Sequence, residues 1–571
     1  MELDEIVSEQ INELPLLLGV MEQMGIRALL DQYVKPHGAW QGASVGTLVV
    51  IWLAHILSER QHRLVAVREW SAQRGETLNR LLEVTLRPTD CSDDRLANVL
   101  SMLGKASVQE ELDQAMLQRW IRVYRLPTDT VRLDSTSVSV YHQETDPEGL
   151  LHLGHSKDHR PDLQQFKTML ATLDPLGMPV CAQTVAGNDN DDPLYVPAYE
   201  KAVAALGTRD VLVVGDCKMA ALATRGHLAA QNSRYLCAYR PGGIKPEVDA
   251  WVQEALNHRA DWQVLPGAAD PDTMRCQPLA EVYEWTRAQS WTNPDTGGRH
   301  DWQERVLLVR SPRQQQAMLQ RRQRRLGKLH EQLQTLCLAP RRGRKRYVDR
   351  QHLQALVDSW VEAAGMTGLV AVTLVQEMQE GQRPRWVFGE MQVDAAAWAA
   401  MEERLGWQVY LTNTSPHEYS ALALIGVYHQ QVIHERGFSR LKTRNLHVRP
   451  VYLRDQERIA GLMWLLCLAL RVLTLTEYRL RTTLSQRGES LVGLNPAVPT
   501  QATSRPTTER VLGAFQNITL TIIQAGDRRH THVTPLTPMQ RRVLALLDLP
   551  ASLYECPDAC RTNSPPSLPE S

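Results

Sequence analysis

Three carboxylates in this sequence stand where they could bind divalent metal ions. Asp134 lies in the strand-like run LDST, Asp216 ends the apolar run VLVVGD, and Glu435 lies on a helical stretch ending in SRLK. Hard oxygen ligands of this kind suit Mg²⁺, and Mn²⁺ can substitute for it. Two such ions about 3.5–4 Å apart can activate an attacking oxygen and stabilise a leaving one in phosphodiester chemistry.

Each carboxylate also has an ordinary interpretation when it is taken alone. Asp134 could accept turn hydrogen bonds at a strand end, Asp216 could cap the following helix KMAAL, and Glu435 could belong to a solvated helix face. A carboxylate among apolar strand residues is nevertheless costly to bury without a partner. Three acids on separate elements together favour a metal site over three independent structural roles.

The helical stretch around Glu435 carries further polar groups at helical spacing. Because successive residues of an α-helix advance by about 100°, one face would combine a phenol, an amide, an acid and an ammonium. These four side chains belong to Tyr428, Gln431, Glu435 and Lys442. A solvated polar face is the alternative interpretation.

The elements that must position the two aspartates form a mixed sheet with flanking helices. Alternating and fully apolar runs predict strands, and helical periodicity separates them. The predicted order is strand, strand, strand, helix, strand, helix and strand, for TVRLDSTSVSVYH, FKTMLATLDP, MPVCAQTVAG, DDPLYVPAYEKAVAAL, DVLVVGD, KMAALATRGHLAAQ and SRYLCAYR. Two strand aspartates and a later helix glutamate on this order fit an α/β, ribonuclease-H-like metal site.

The spacing Tyr428-x2-Gln431-x3-Glu435-x6-Lys442 resembles the Tyr–Arg–Glu–Lys signature of DDE-type transposases of bacterial insertion sequences. Gln431 departs from that signature, so a phosphate contact by arginine does not carry over to it. Further matches, across roughly residues 90–545, are RLDSTSVSVY, GHSKDHRPDLQQ, AGNDND, VVGD and LHVRPVYLRDQERIAGLMWLLCLAL.

The resemblance implies metal-dependent cleavage at transposon ends, followed by strand transfer into target DNA. It implies that Asp134, Asp216 and Glu435 bind Mg²⁺, and that Tyr428 and Lys442 hold DNA phosphates. The partners would be inverted-repeat end DNA and target DNA, with a homodimer pairing the two ends in the bacterial cytoplasm, at the nucleoid. A catalytically inactive DNA-binding derivative and a structure-specific nuclease of the same fold remain alternatives.

Changes in pattern along the chain predict five segments. Residues 1–125 are an all-α region, either a small DNA-binding unit or a plain helical bundle. Residues 126–240 and 405–484 are two parts of one catalytic domain, and the second contains SALALIGVYHQQVIHERGFSRLK as one long helix. Residues 241–404 are an insertion between them, and residues 485–571 form a C-terminal region with a disordered tail.

Several basic and aromatic side chains are candidate DNA contacts. GHSKDHR offers Lys157, Asp158 and Arg160, with a solvated loop as the alternative. Between Ser311 and Val348 the only acid is Glu331, and the basic helix there favours phosphate contact. Its candidates are Arg321, Arg322, Arg324 and Arg325. Trp285, Trp291 and Trp302 could stack on an unpaired base, although core packing is the commoner role.

Composition excludes several other classes of protein. The 63 basic and 64 acidic residues give a net charge of −1, so any signal for nucleic-acid binding must be local. Cys556 and Cys560 lack a second pair for zinc, and NDNDD fails as a calcium loop. No glycine-rich phosphate loop or signal peptide is present. The apolar runs Thr47–Leu57 and Ile459–Leu470 are short for a bilayer and predict buried helices, with no membrane partner.

Overall fold

The computed structural model describes residues 5–143, 147–240, 246–269, 276–338, 347–378, 384–495, 497–525 and 528–555. The chain divides into two compact units. The first unit comprises Met1–Leu236, Ser290–His300 and Gly426–Ser571, and the second comprises Cys237–Gln289 and Asp301–Ile425. The basic stretch PRRGRKR, the pair Cys556 and Cys560, and the predicted disordered tail lie wholly or mostly outside the described residues.

The N-terminal region of the first unit is mostly helical but begins with a strand. Its elements are β1 (Glu5–Gln10), α1 (Leu14–Met24), α2 (Ile26–Tyr33), α3 (Val45–Glu59), α4 (Leu64–Ala72), α5 (Gly75–Leu82), α6 (Asp93–Leu103) and α7 (Ala106–Tyr124). The expected helical N-terminal region is confirmed, and β1 is its one strand among the described residues. Because the elements that follow β1 in sequence are helices, β1 has no neighbouring strand to pair with. It pairs antiparallel with Thr519–Ala525, more than 500 residues later.

The central sheet of the first unit follows the predicted order of elements. They are β2 (Thr130–Ser139), β3 (Gln165–Leu173), β4 (Met178–Ala186), α8 (Tyr195–Leu206), β5 (Leu212–Gly215), α9 (Leu222–Ala230) and β6 (Arg234–Ala238). In space the strands run β4-β3-β2-β5-β6, with β4, β3 and β2 antiparallel and β5 parallel to β2. The predicted α/β class with a ribonuclease-H-like mixed sheet is confirmed.

The second unit contains most of the predicted insertion. Its elements are α10 (Pro246–Asn257), β7 (Gln263–Ala269), β8 (Cys276–Thr292), β9 (Arg299–Arg310), α11 (Pro312–Gln334), α12 (Arg350–Ala364), β10 (Val370–Glu377), β11 (Arg385–Val393), α13 (Ala395–Glu403) and β12 (Trp407–Thr412). The strands run in the order β12-β9-β8-β7, and β10 pairs with β11. Leu329, Leu333, Leu353 and Phe388 form part of a core joining α11, α12 and β11.

The chain returns to the first unit at Gly426, within the first of the C-terminal elements. They are α14 (Ala421–His429), α15 (Gln431–Ser439), a π-helical segment (Arg440–Arg444), α16 (Gln456–Arg487), β13 (Leu491–Val492), β14 (Ala502–Thr503), α17 (Thr508–Gly513), β15 (Thr519–Ala525), β16 (Arg528–Val533) and α18 (Pro538–Leu546). The single long helix predicted around Glu435 is thus two helices and a π-helical segment. Gln430 leaves helical geometry with ψ at 3°, which separates α14 from α15.

Helix α16 forms the core of the first unit. Among the described residues it is the one helix long and apolar enough, by length and composition, to cross a membrane, and 94% of its most apolar window is buried inside the protein. Core helices of folded domains pass the same test. The predicted run Ile459–Leu470 is therefore part of a longer helix, of 32 residues, and its predicted burial is confirmed.

Candidate active site

The register of two parallel strands brings Asp134 and Asp216 together. Leu133 on β2 lies opposite Gly215 on β5, so the residue that follows each of them, Asp134 or Asp216, is one of the two aspartates. The sequence favours this placement because β5 is short and fully buried, and its carboxyl end opens at the sheet edge. Both side chains line one cavity. Its other lining residues are Arg132, Leu133, Val214, Gly215, Tyr428, Gln431 and His434.

Asp134 is held in a poorly solvated position. Its side chain is 23% exposed and accepts a hydrogen bond of 2.7 Å from the backbone N–H of Ser135. Burial raises the pKa of the Asp134 carboxyl, the ammonium of Lys157 opposes that rise, and the charge of Asp216 adds to it. The two aspartates therefore repel each other, and a cation between them would relieve that repulsion.

Asp216 is oriented by a residue that the sequence did not single out. The hydroxyl of Tyr195, at the start of α8, donates a 2.6 Å hydrogen bond to its Oδ1, and the N–H of Lys218 donates one of 2.8 Å to the same atom. Burial and the neighbouring Asp216 raise the pKa of Tyr195 well above its ordinary value, so it stays a donor. Asp216 does not cap the next helix, because α9 begins only at Leu222.

Lys157 is exposed, and its ammonium lies beside Asp134. Its Nζ is 2.7 Å from the carbonyl oxygen and 2.8 Å from the hydroxyl of Ser135, and 3.4 Å from Oδ1 of Asp134. A further carboxylate, that of Asp191, lies 3.6 Å from the same ammonium. Burial would raise the pKa of Asp191, but its hydrogen bond from Lys167 and the charges of both lysines hold it below the ordinary value.

Helix α15 presents His434, not Glu435, among the cavity-lining residues. His434 is 2% exposed, its Nδ1 lies 2.7 Å from the hydroxyl of Thr172, and burial lowers its pKa to about 3, so the imidazole is neutral. Glu435 is exposed and is not among the lining residues, whereas Tyr428 and Gln431 are half-buried and are. On a helix Glu435 is turned about 100° from His434, which places it beside this face.

The other predicted DNA contacts near the sheet are engaged in ion pairs within the protein. Lys442 lies 2.8 Å from Asp158, and Arg449 lies 3.3 Å from the same carboxylate. Arg160 pairs with Asp162 at 2.7 Å. Contact of Lys157, Arg160 and Lys442 with DNA stays a prediction. For Lys442 it would require the ammonium to leave or share a largely buried carboxylate.

The basic helix of the second unit is open to solvent. On α11, Arg321, Arg324 and Arg325 are exposed, whereas Arg322 is half-buried and donates a 2.5 Å hydrogen bond to the carbonyl of Gly365. Among the described residues no carboxylate lies within ion-pair distance of these arginines, so the exposed guanidinium groups of Arg321, Arg324 and Arg325 are available to phosphates. The phosphate contacts themselves stay a prediction.

The tryptophans make packing contacts. Trp285 lies against Trp251, with ring centroids 5.7 Å apart, and Trp291 lies against the ring of His227 at 6.3 Å. Gly226 is required beneath Trp291, because a Cβ there would lie 2.4 Å from the indole. Trp302 is half-buried. Packing accounts for Trp285 and Trp291, and base stacking by any of the three stays a prediction.

The donor set fits a divalent cation held by two carboxylates. Mg²⁺ is commonly bound by one or two carboxylates together with substrate phosphates and water. Asp134 and Asp216 supply that pair. Within the described parts of the chain, no group of three or more histidine, cysteine, aspartate or glutamate side chains converges on one metal position. The structure therefore brings together two of the three predicted carboxylates.

A family model described as "Transposase DDE domain" matches residues 126–472, more than half of the chain. The chain belongs to the DDE transposase family. The matched residues run from just before β2 into α16 and include Asp134, Asp216 and Glu435. A DNA-transposing enzyme with a ribonuclease-H-like sheet, predicted from the sequence motifs, is therefore confirmed at the level of the family.

Comparison with solved structures finds a piggyBac transposase synaptic complex with hairpin DNA. The identity is 9% and the TM-score 0.30, over 83% of this chain and 76% of that one. No curated protein matches this DDE transposase.

Proposed function

We propose that this transposase cuts DNA at the ends of an insertion sequence and joins the freed 3′-hydroxyl to target DNA. The parallel register of β2 and β5, which places Asp134 and Asp216 in one cavity of a DDE-family chain, carries the proposal. Glu435, exposed on α15 beside His434, would complete the set of metal ligands from the open side. Mg²⁺ is the expected ion, with Mn²⁺ as a substitute.

The chain's own residues have separable tasks in this chemistry. Divalent ions, when bound, would lower the pKa of the attacking oxygen and neutralise charge on the leaving one. Asp134 and Asp216 would hold that charge in place, and Tyr195 keeps the Asp216 carboxylate in one orientation through its hydrogen bond. Gln431, on the same cavity wall, offers two amide donors to a phosphate oxygen.

Neutralising the carboxylates tests the proposal. We expect Asp134→Asn, Asp216→Asn and Glu435→Gln each to abolish end cleavage, because each removes a metal ligand, while binding of end DNA persists. The measurement is cleavage of a labelled end duplex in Mg²⁺, with binding measured in EDTA. Asp210→Asn, at a highly exposed aspartate just before β5, is the matched control and should cleave normally. Full cleavage by a folded variant would exclude that residue from the site.

A second assay separates transposition from the two alternatives. A duplex that already ends in the 3′-hydroxyl is supplied with a supercoiled target, and joined products are counted. Joining supports transposition. Cleavage of the end duplex without joining would favour a structure-specific nuclease, and binding with neither reaction an inactive DNA-binding derivative. Because two DNA ends must be held together, we expect a homodimer, and cross-linking on end DNA would test it. We expect the protein to act in the bacterial cytoplasm, at the nucleoid.

A further inference from the structure

A cleft in the first unit is lined largely by arginines. Arg60 follows α3, Arg436 and Arg440 lie on α15 and the π-helical segment, and Glu509 and Arg510 lie on α17. Three distant stretches of the chain thus contribute to one opening. None of these residues belongs to the carboxylate cavity or to the basic helix of the second unit.

Three residues of this arginine cleft, Arg436, Arg440 and Glu509, belong to an ionic network. Glu477 on α16 accepts hydrogen bonds from Arg436, at 2.9 and 3.0 Å, and it also pairs with Arg440 and Arg481. Glu509 accepts a 2.6 Å hydrogen bond from Nε of Arg440. Arg440 is 3% exposed and Glu477 is 6% exposed, so the centre of the network is buried, whereas Arg436 and Glu509 are partly exposed.

The network leaves positive charge in excess at the rim. Four arginines and one glutamate, Glu509, line the cleft, and the two rim arginines, Arg60 and Arg510, are exposed. Among the described residues neither has a carboxylate within ion-pair distance. The chain as a whole carries a net charge of −1, so this excess is local. Guanidinium groups bind phosphate oxygens in pairs, and several along one opening suit a polyanion better than a single phosphate.

Helix α15 relates this cleft to the carboxylate cavity. Gln431 and His434 line the cavity, while Arg436, which lines the cleft, lies about 140° around the helix from Gln431. The two openings are therefore separated by roughly the 10–12 Å diameter of a helix with its side chains. That distance corresponds to about three nucleotides at roughly 3.4 Å each along a strand.

We propose that the arginine cleft binds the DNA backbone a few nucleotides from the phosphate that is cut. The inference rests on the proposed function, because it takes end DNA as the ligand of the carboxylate cavity. It assigns a DNA-binding role to Arg510, in the C-terminal region, and to Arg60, in the N-terminal helical region. The ligand class is the phosphodiester backbone, without reading of base sequence.

The test removes the two rim charges and spares the buried network. The double variant Arg60→Gln/Arg510→Gln is compared with Arg68→Gln/Arg122→Gln, which neutralises two exposed arginines of the same unit outside the cleft. Affinity for an end duplex is measured in EDTA over a range of salt concentrations. We expect the slope of log affinity against log salt to fall by about 1.8 when two phosphates are no longer neutralised. The control slope should match wild type, and equal thermal midpoints would verify folding.

The outcomes separate this inference from the proposed function. If the wild-type protein fails to bind end DNA, the proposed function itself is wrong. If it binds, and the rim variant keeps the wild-type slope, the cleft does not contact DNA and only the inference fails. Inorganic phosphate is added at constant ionic strength as a third arm. If phosphate stabilises wild type but not the rim variant, and DNA affinity is unchanged, the cleft is a site for small anions and the inference is overturned.

Discussion

At the scale of single residues, the ammonium of Lys157 would compete with a metal ion for the oxygens around Asp134. It lies within 3.6 Å of oxygens from Asp134, Ser135 and Asp191, which together resemble the oxygen shell of a bound cation. The lysine lowers the pKa of Asp134, which burial and Asp216 raise. A divalent ion approaching Asp134 must therefore displace the ammonium or share its carboxylate.

Replacing this lysine should tighten metal binding. We expect Lys157→Met to bind Mn²⁺ about tenfold more tightly, a change of about 1.4 kcal/mol. Unit charges about 4 Å apart interact by about 4 kcal/mol at an effective dielectric constant of 20, and partial exposure of the lysine reduces that value. The dissociation constant is measured by titration calorimetry without DNA. Without metal, the variant should melt at a lower temperature than wild type, because Asp134 has lost its cation.

A lysine elsewhere on the sheet domain provides the control. Lys201→Met removes an ammonium that pairs with Glu110 at the surface, and it should leave Mn²⁺ affinity unchanged. Equal or weaker Mn²⁺ binding by Lys157→Met would show that the lysine supports the metal site rather than competing for it. Binding by neither protein would instead count against the proposed metal site.

The two aspartates could be predicted from the sequence, whereas their immediate partners could not. Asp216 ends a short apolar strand, and Asp134 lies in a recognisable motif, so local sequence patterns identify both aspartates. Tyr195 reaches Asp216, and His434 reaches the cavity, only through the packing of α8 and α15 against the sheet. The sequence around a tyrosine or histidine on an amphipathic helix does not show whether its side chain contacts the site or only packs in the core.

At the scale of elements, the exposed basic helix α11 should contribute general DNA affinity. Neutralising Arg321, Arg322, Arg324, Arg325 and Lys328 to glutamine should reduce the slope of log affinity against log salt by about 0.9 for each phosphate that is no longer neutralised. Affinity for specific and unrelated duplexes should fall equally, because phosphate contacts do not read sequence. An unchanged slope would identify the helix as a solvated face.

Element types were easier to predict than the interruptions within them. The order from β2 to β6 follows from hydrophobic periodicity, which local sequence carries. The break at Gln430 and the π-helical segment at Arg440–Arg444 do not interrupt that periodicity, so one helix was predicted where two stand. Strand β1 escaped prediction for another reason: its hydrogen-bonding partner lies more than 500 residues away.

At the scale of the whole molecule, a buried ion pair ties three regions of the first unit together. Arg471 on α16 is 0% exposed and lies 2.7 Å from Asp113 on α7. It also donates hydrogen bonds to the carbonyl oxygens of Pro179, at 3.0 Å, and Val180, at 2.6 Å, on β4. Asp113 also accepts a 2.9 Å hydrogen bond from the indole of Trp464.

Removing one partner of this pair should destabilise the protein strongly. Asp113→Ala leaves a buried guanidinium without its carboxylate, and we expect the free energy of unfolding to fall by about 3–5 kcal/mol. The measurement is urea unfolding followed by tryptophan fluorescence. The double variant Asp113→Leu/Arg471→Met removes both charges and should recover most of that loss. A small effect of Asp113→Ala would mean that the arginine finds water or another partner.

The pairing of β1 with β15 has a consequence for how the chain is made. Residues 5–10 leave the ribosome more than 500 residues before their partner strand, Thr519–Ala525, is translated. Contacts between residues so far apart in sequence form slowly and only after long loops have closed. Until β15 has been translated, the backbone N–H and C=O groups of β1 lack this strand partner. Newly made chains should depend on chaperones until translation has passed the end of β15.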